Sequence, residues 1–387
     1  MKKHVAALVL LSMATHAFAL SMSPGRGALL YDASYPSGPT SKPSNTPGQW
    51  VPNITSFNQG ASSSSLQINR LYPYSGDIEM NCTGPSDCVF SGSDQNVYVY
   101  YDPPAYGKDS VAAYRAAFPA ALIMAIIDGS TKSKLLAPLT YQEMGIKTAI
   151  LAANTICPDE NVDGIFFDLE PADFSVPGQF AFYKQISQSF SSGICVDAKH
   201  PNGRMFGVFL NPNKVADGDW NKVAAALGKN GFVAVSAYDV RDVCPPVPIS
   251  IQGYTASITG MLQRMDAASK KYSISYTVLG PAASSFGEFE KLCQYDTSEP
   301  QSCKLIKDFS LEGITQVGYI KALRNIITAN CKSVNYLGED LWSWTQYKDP
   351  VNCDGSYILL PNIPDGDVVK YLQQYGASMS TETPPGI

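Results

Sequence analysis

The chain has 387 residues, is 45% hydrophobic and 16% charged, and carries a net charge of −6. That is an ordinary globular composition with length enough for a large core, and the lack of any basic stripe or Arg/Lys cluster argues against nucleic-acid partners and against binding to an anionic membrane surface. Histidine is confined to His4, His16 and His200, which excludes a metal site built on several histidines in the mature chain and leaves a Ser-His-Asp triad only His200, with no G-x-S-x-G elbow to support it.

Residues 1–19, "MKKHVAALVLLSMATHAFA", have two lysines, a short apolar run and an Ala-Phe-Ala ending. That is the layout of a secretory signal peptide of bacterial style, cleaved after Ala19, and the apolar run is too short to span a bilayer. Loss of Lys2 and Lys3 takes the mature form to −8. The expected location is secreted or periplasmic. Residues 20–65 are rich in Pro, Ser, Gly and Asn and read as an N-terminal segment of loops with at most one early strand, "GALLYDA".

From about residue 66 the text alternates. "LQINRLYPYS", "NVYVYYD" (96–102), "AALIMAIID" (120–128), "DGIFFDLEP", "RMFGVFLN", "GFVAVSAYD", "SISYTVLG" and "EDLWSWTQY" read as strands. Helical patterns lie between them at 109–118, near 140–155, and in "GQFAFYKQISQSF", "DWNKVAAAL", "YTASITGMLQRMDAASKKY" and "GYIKALRNIITAN". Such alternation predicts parallel strands joined by crossover helices. The fold class is α/β, a (β/α)8 TIM barrel over 66–375 with a short tail at 376–387. Counting "GALLYDA", nine candidate strands compete for the eight places of such a barrel. No G-x-G-x-x-G supports a dinucleotide fold.

The nine cysteines suit an oxidising compartment. Cys82 with Cys88, and Cys293 with Cys303, read as clipped loops. Cys157 and Cys195 precede consecutive strands and are placed to meet at one end of the fold. The odd count leaves at least one thiol over. His200, in "DAKHPNG", reads as a solvent-facing loop residue.

The most informative stretch is "NVDGIFFDLEP" (161–171). Alternation along a strand puts Gly164, Phe166, Asp168 and Glu170 on one face and Ile165, Phe167 and Leu169 on the other. The second face suits packing against barrel helices. The first turns inward, with its acids at the C-terminal end, where barrels of this type place their active sites. Neighbouring carboxylates can have their pKa values pushed apart, leaving one protonated as a general acid.

This stretch resembles the catalytic strand of the family-18 glycoside hydrolases, which include chitinases and endo-β-N-acetylglucosaminidases. Val162, Asp163, Gly164, Ile165, Phe167, Asp168 and Glu170 fit the family pattern, while Phe166 stands where the family has a further Asp. "VAVSAYD" is similar to the end of the family's sixth strand through Tyr238 and Asp239, although Ser236 replaces the usual Met. "GEDLWSW" is similar to the eighth through Gly338, Trp342 and Ser343. "MAIIDGS" keeps only Gly129 of the third-strand motif, and "YTVLGPA" loosely resembles the seventh. The resemblance runs from about residue 66 to 350.

The resemblance implies a substrate-assisted retaining mechanism. Glu170 would protonate the leaving oxygen, and Asp168 would orient the substrate's own acetamido group as it attacks. Tyr238 would hydrogen-bond the acetamido oxygen, and Trp342 would floor the sugar subsite. Asp239 and Asp163 are further substrate-binding candidates. No metal or cofactor is implied, and the partner is a glycan or glycoprotein containing N-acetylhexosamine. With Phe166 below it, Asp168 is expected to lose the carboxyl partner that the family has at that level and to face a less polar wall, which would raise its pKa. Two alternatives follow: a related barrel that binds glycans without cleaving them, and a glycosidase that uses carboxylates from separate strands.

Overall fold

The computed structural model describes residues 22, 24–30, 47–101, 108–130, 137–170, 172–237, 251–281, 316–348, 360–362 and 366–375. Ten strands are seen among them: β1 Gly25–Leu30, β2 Ile68–Met80, β3 Val97–Tyr101, β4 Leu122–Ser130, β5 Gly164–Glu170, β6 Met205–Leu210, β7 Gly231–Ser236, β8 Ser275–Pro281, β9 Tyr336–Lys348 and β10 Leu360–Asn362. The helices are α1 Pro47–Gly60, α2 Lys108–Ala117, α3 Gln142–Ile156, α4 Pro177–Phe190, α5 Trp220–Leu227, α6 Ile251–Tyr272, α7 Gln316–Asn330 and α8 Gly366–Gln374.

Eight strands form a closed parallel ring in the order β1-β2-β4-β5-β6-β7-β8-β9, and β9 returns to pair with β1. A helix lies in the chain between each successive pair of ring strands. This is the expected (β/α)8 barrel. The surplus strand is β3. It runs antiparallel to β2, outside the ring, because a short hairpin return cannot supply the crossover that a parallel neighbour needs.

The barrel also begins earlier than residue 66. β1 closes the ring from within the Pro/Ser-rich segment, and five of its six residues are buried. The helix α1 follows it, with Trp50, Ile54 and Phe57 buried at helical spacing. β1 is the early strand read at "GALLYDA", whereas composition hid α1, a helix with Pro52 inside it that reads locally as loop.

Two apolar layers hold the barrel. Between strands and helices lie Ile165, Phe167 and Leu169 of β5 with Phe182, Tyr183, Ile186 and Phe190 of α4. Inside the ring lie Leu29, Tyr72, Met124, Ile126, Phe166, Phe232, Ala234 and Leu279. The alternation read for β5 is therefore the one observed. Both disulfides seen, Cys82–Cys88 and Cys157–Cys195, join residues paired in the sequence reading. Cys331 is free and buried, whereas Cys293 and Cys303 lie outside the described residues. Among the described residues no helix is long and apolar enough to cross a membrane.

Candidate active site

The interior of the barrel is apolar at its middle and acidic at its C-terminal end. Phe166 is fully buried, edge-on to Tyr72 with ring centroids 5.5 Å apart. It lies level with Ile126 on one side and Gly207 on the other. Glycine is needed there, because a Cβ at 207 would come within 2.6 Å of the Phe232 ring and 2.7 Å of the Phe166 ring. Phe166 thus helps to plug the barrel below the acids, and its level carries no carboxylate among these three strands.

One inward step above it, the register pairs Asp77 of β2 with Asp128 of β4, and Asp128 with Asp168 of β5. Neighbouring strands are about 5 Å apart, so three carboxyl side chains stand side by side. Asp168 is buried at 8% exposure. Burial, then Glu79 and Asp128, push the Asp77 carboxyl above its ordinary range. The carboxyl neighbour that Phe166 denies to Asp168 from below is supplied from the side, by Asp128.

Ser130 and Glu170 are paired one further step up, at the end of both strands. Glu170 is thereby placed on the inward register above Asp168, though only its strand position is described. Trp342 is paired with Pro281, one inward step above the Leu279–Asp340 pair, and it too is described by position alone. Tyr238 and Asp239 lie outside the described residues. β7 leads to them and ends at Ser236, whose hydroxyl is buried with no hydrogen-bond partner among the described residues.

The structure sets Asp163 apart from the other site candidates. It precedes β5, roughly 20 Å from Glu170 at strand rise, at the opposite end of the barrel. Arg115 and the Ile123 amide both bond its Oδ2, at 2.5 and 2.7 Å, and His200 Nε2 lies 3.0 Å from its Oδ1. Asp163 ties β4, β5 and α2 together and is not within reach of a sugar at the mouth. His200 is likewise corrected: it is buried at 7% exposure, between Asp163 and Asp197, and in contact with Arg204.

Asp77 and Asp128 were missed as site residues in the sequence. For Asp128 the signal is the one that exposed Asp168, an acid near the end of an apolar run ("IMAIID"), while Asp77 lies inside a mixed strand ("YSGDIE") that gives no such signal. What sequence lacks is the lateral register. Among the described residues no group of three or more His, Cys, Asp or Glu is arranged to hold a metal ion.

No family model and no curated protein matches the chain. Solved structures do. A GH18 chitinase from Pseudoalteromonas aurantia is 11% identical, with 81% of this chain and 92% of that chain covered, at a TM-score of 0.41. A glycoside hydrolase family 5 mannosidase from Rhizomucor miehei is 14% identical, covering 91% and 92%, at 0.45. An α-L-fucosidase-type protein from Bacteroides thetaiotaomicron is 9% identical, covering 91% and 94%, at 0.42. Likeness this slight carries no argument about substrate or mechanism, and the functional reading rests on the residues of the mouth.

Proposed function

We infer that this chain is an exported glycoside hydrolase cleaving β-linked N-acetylhexosamine glycans, such as chitin oligomers or the core of an N-linked glycan. The observation that carries the reading is the placement of Asp168, with position 170 one inward step above it, at the C-terminal end of β5. Glu170 acts as general acid towards the glycosidic oxygen and then as base towards water. Asp168 orients the acetamido group, whose carbonyl oxygen attacks the anomeric carbon and later yields to water, giving retention. Asp128 stands opposite Asp168 on the neighbouring strand and supplies a second carboxyl group at that level of the mouth. Tyr238 and Trp342 complete the sugar site as acetamido donor and floor, with Asp239 in support. The reading implies neither metal nor organic cofactor.

The test uses the mature protein and Glu170→Gln, with a fluorogenic chitobioside and a high-mannose glycoprotein. Loss of the general acid is expected to lower turnover by about 10²–10⁴-fold. A wild-type protein that turns over neither substrate sinks the hydrolase reading. One observation favours a second reading. Phe166 fills the level of a family acid with a fully buried ring, which suits a glycan-binding barrel without catalysis. Binding by both proteins with turnover by neither is its signature.

A further inference from the structure

The strand β2 outlasts its place in the barrel. Its last pairing with β4 is Asp77↔Asp128, and beyond it Ile78–Met80 continue only against β3. The turn into this ribbon depends on Gly76, at φ +154°, where a Cβ would lie 1.8 Å from the Tyr100 carbonyl oxygen. The ribbon has two unlike faces. Ile78, Met80, Val97 and Val99 are buried in the outer core, and Tyr101 on the same face donates to Asp159 at 2.7 Å. The opposite face carries Asp77, Glu79, Tyr98 and Tyr100, and register makes it continuous with the inward face of the barrel at Asp128.

On that face the Tyr98 and Tyr100 rings lie nearly parallel, with centroids 5.5 Å apart and planes 15° from each other. Tyr100 is 39% exposed, a large aromatic left open to solvent. Glu79 accepts from Asn81 at 2.8 Å and, by hydrogen bond and charge, joins burial in pushing the Tyr100 hydroxyl up to about 12. The platform is fixed before any ligand arrives. Tyr98 donates to the Gln95 carbonyl, Cys82–Cys88 clips the connecting loop, Asp87 gathers the Thr83 and Gly84 amides, and Asn96 holds Val89. A preformed aromatic surface binds with little loss of side-chain freedom.

Building on the reading of the barrel mouth as a glycan site, we propose that the β2–β3 ribbon is an additional glycan subsite. One further sugar ring of the same chain lies with its C–H face on Tyr100, backed by Tyr98, and its hydroxyls donate to Glu79. Tyr100 stands directly across from Asp77 on β3, about 5 Å away, and the Tyr98–Glu79 pair lies two residues further along the ribbon, about 7 Å, which together is the order of one sugar unit. Among the described residues the charged groups of the subsite, Asp77 and Glu79, are both acids, and Asp128 and Asp168 continue the row on the next two strands. The ligand is therefore a neutral or N-acetylated glycan, and uronate- or sulfate-bearing chains are repelled.

The experiment measures binding of N-acetylglucosamine dimer and tetramer by calorimetry to the Glu170→Gln protein, alone and combined with Tyr100→Ala or Tyr100→Phe. The tetramer is expected to bind more tightly than the dimer. Tyr100→Ala should reduce that advantage about three- to tenfold, the scale of one aromatic contact, while Tyr100→Phe keeps it. Tyr100 is exposed, and far-ultraviolet circular dichroism checks that the variant is folded. An undiminished tetramer advantage in Tyr100→Ala overturns the subsite and leaves the hydrolase reading intact. Failure of both oligomers to bind, with no chitobioside turnover by the wild type, overturns both.

Discussion

The two ends of the barrel group their acids differently. Towards the N-terminal end every prominent acid has a cation or donor beside it. Arg70 and Asp340 form an ion pair at 2.7 Å with side chains 2% and 0% exposed, and Tyr72 donates to the same carboxylate at 3.0 Å. Burial alone would lower the Arg70 pKa, but Asp340 together with the Tyr72 and Tyr336 hydroxyls outweighs it and the net shift is upward. Asp266 accepts from Tyr276, Lys332 and Ser333 and pairs with Lys270 at 2.6 Å. At the C-terminal end Asp77, Asp128 and Asp168 are neighbours in register, and Asp128 also accepts from the Gly129 amide. Compensated charge fixes strands in register. Like charges held side by side cost stability, and such sites are where proton chemistry is found.

The comparison is broken most severely at Asp340. Asp340→Ala leaves Arg70 buried without its partner and is expected to cost about 3–5 kcal/mol, read by urea unfolding. A loss below about 1 kcal/mol would show that the pair behaves like a surface one. A smaller effect is expected at Asp266, where burial works to raise the carboxyl pKa but the Lys270 bond, the two amides and Tyr276 outweigh it and lower it. A lowered folded value means stability that is present above the ordinary carboxylate range and lost as pH falls through the folded one. Asp266→Asn should therefore cost about 1–3 kcal/mol at pH 7, with the deficit shrinking under acid; a deficit that grows on acidification contradicts the assignment.

The sign reverses at Asp77. Its folded pKa is raised, chiefly by burial and then by Glu79 and Asp128, so the folded state favours the protonated acid and loses stability as pH rises through the folded value. Asp77→Asn is expected to gain a few tenths to about 1 kcal/mol at pH 7 and nothing below about pH 4. Equal stability of the two proteins across the whole range would remove the like-charge account of the mouth.

Much of this was legible in the chain. Period-two alternation placed Phe166 and Asp168 on the inner face of β5, since a strand buried on both sides still turns its acids only where they remain reachable. Strand–helix alternation gave the barrel, and Cys157 and Cys195 are joined in the loops that lead into neighbouring strands. What composition obscured was α1, whose Trp50, Ile54 and Phe57 stripe is interrupted by Pro52, and the place of the "GALLYDA" strand inside the ring.

The remainder was decided by tertiary structure, for one physical reason. A sequence specifies which face of a strand each side chain takes, but not which residue of the next strand stands beside it. That register brought Asp128 to Asp168 and Asp77 to Asp128, sent Asp163 to an Arg115–His200 anchor at the far end, buried His200, and turned β3 out of the ring. By itself the chain determined an acid-tipped barrel strand; only closure of the ring made it one member of a row.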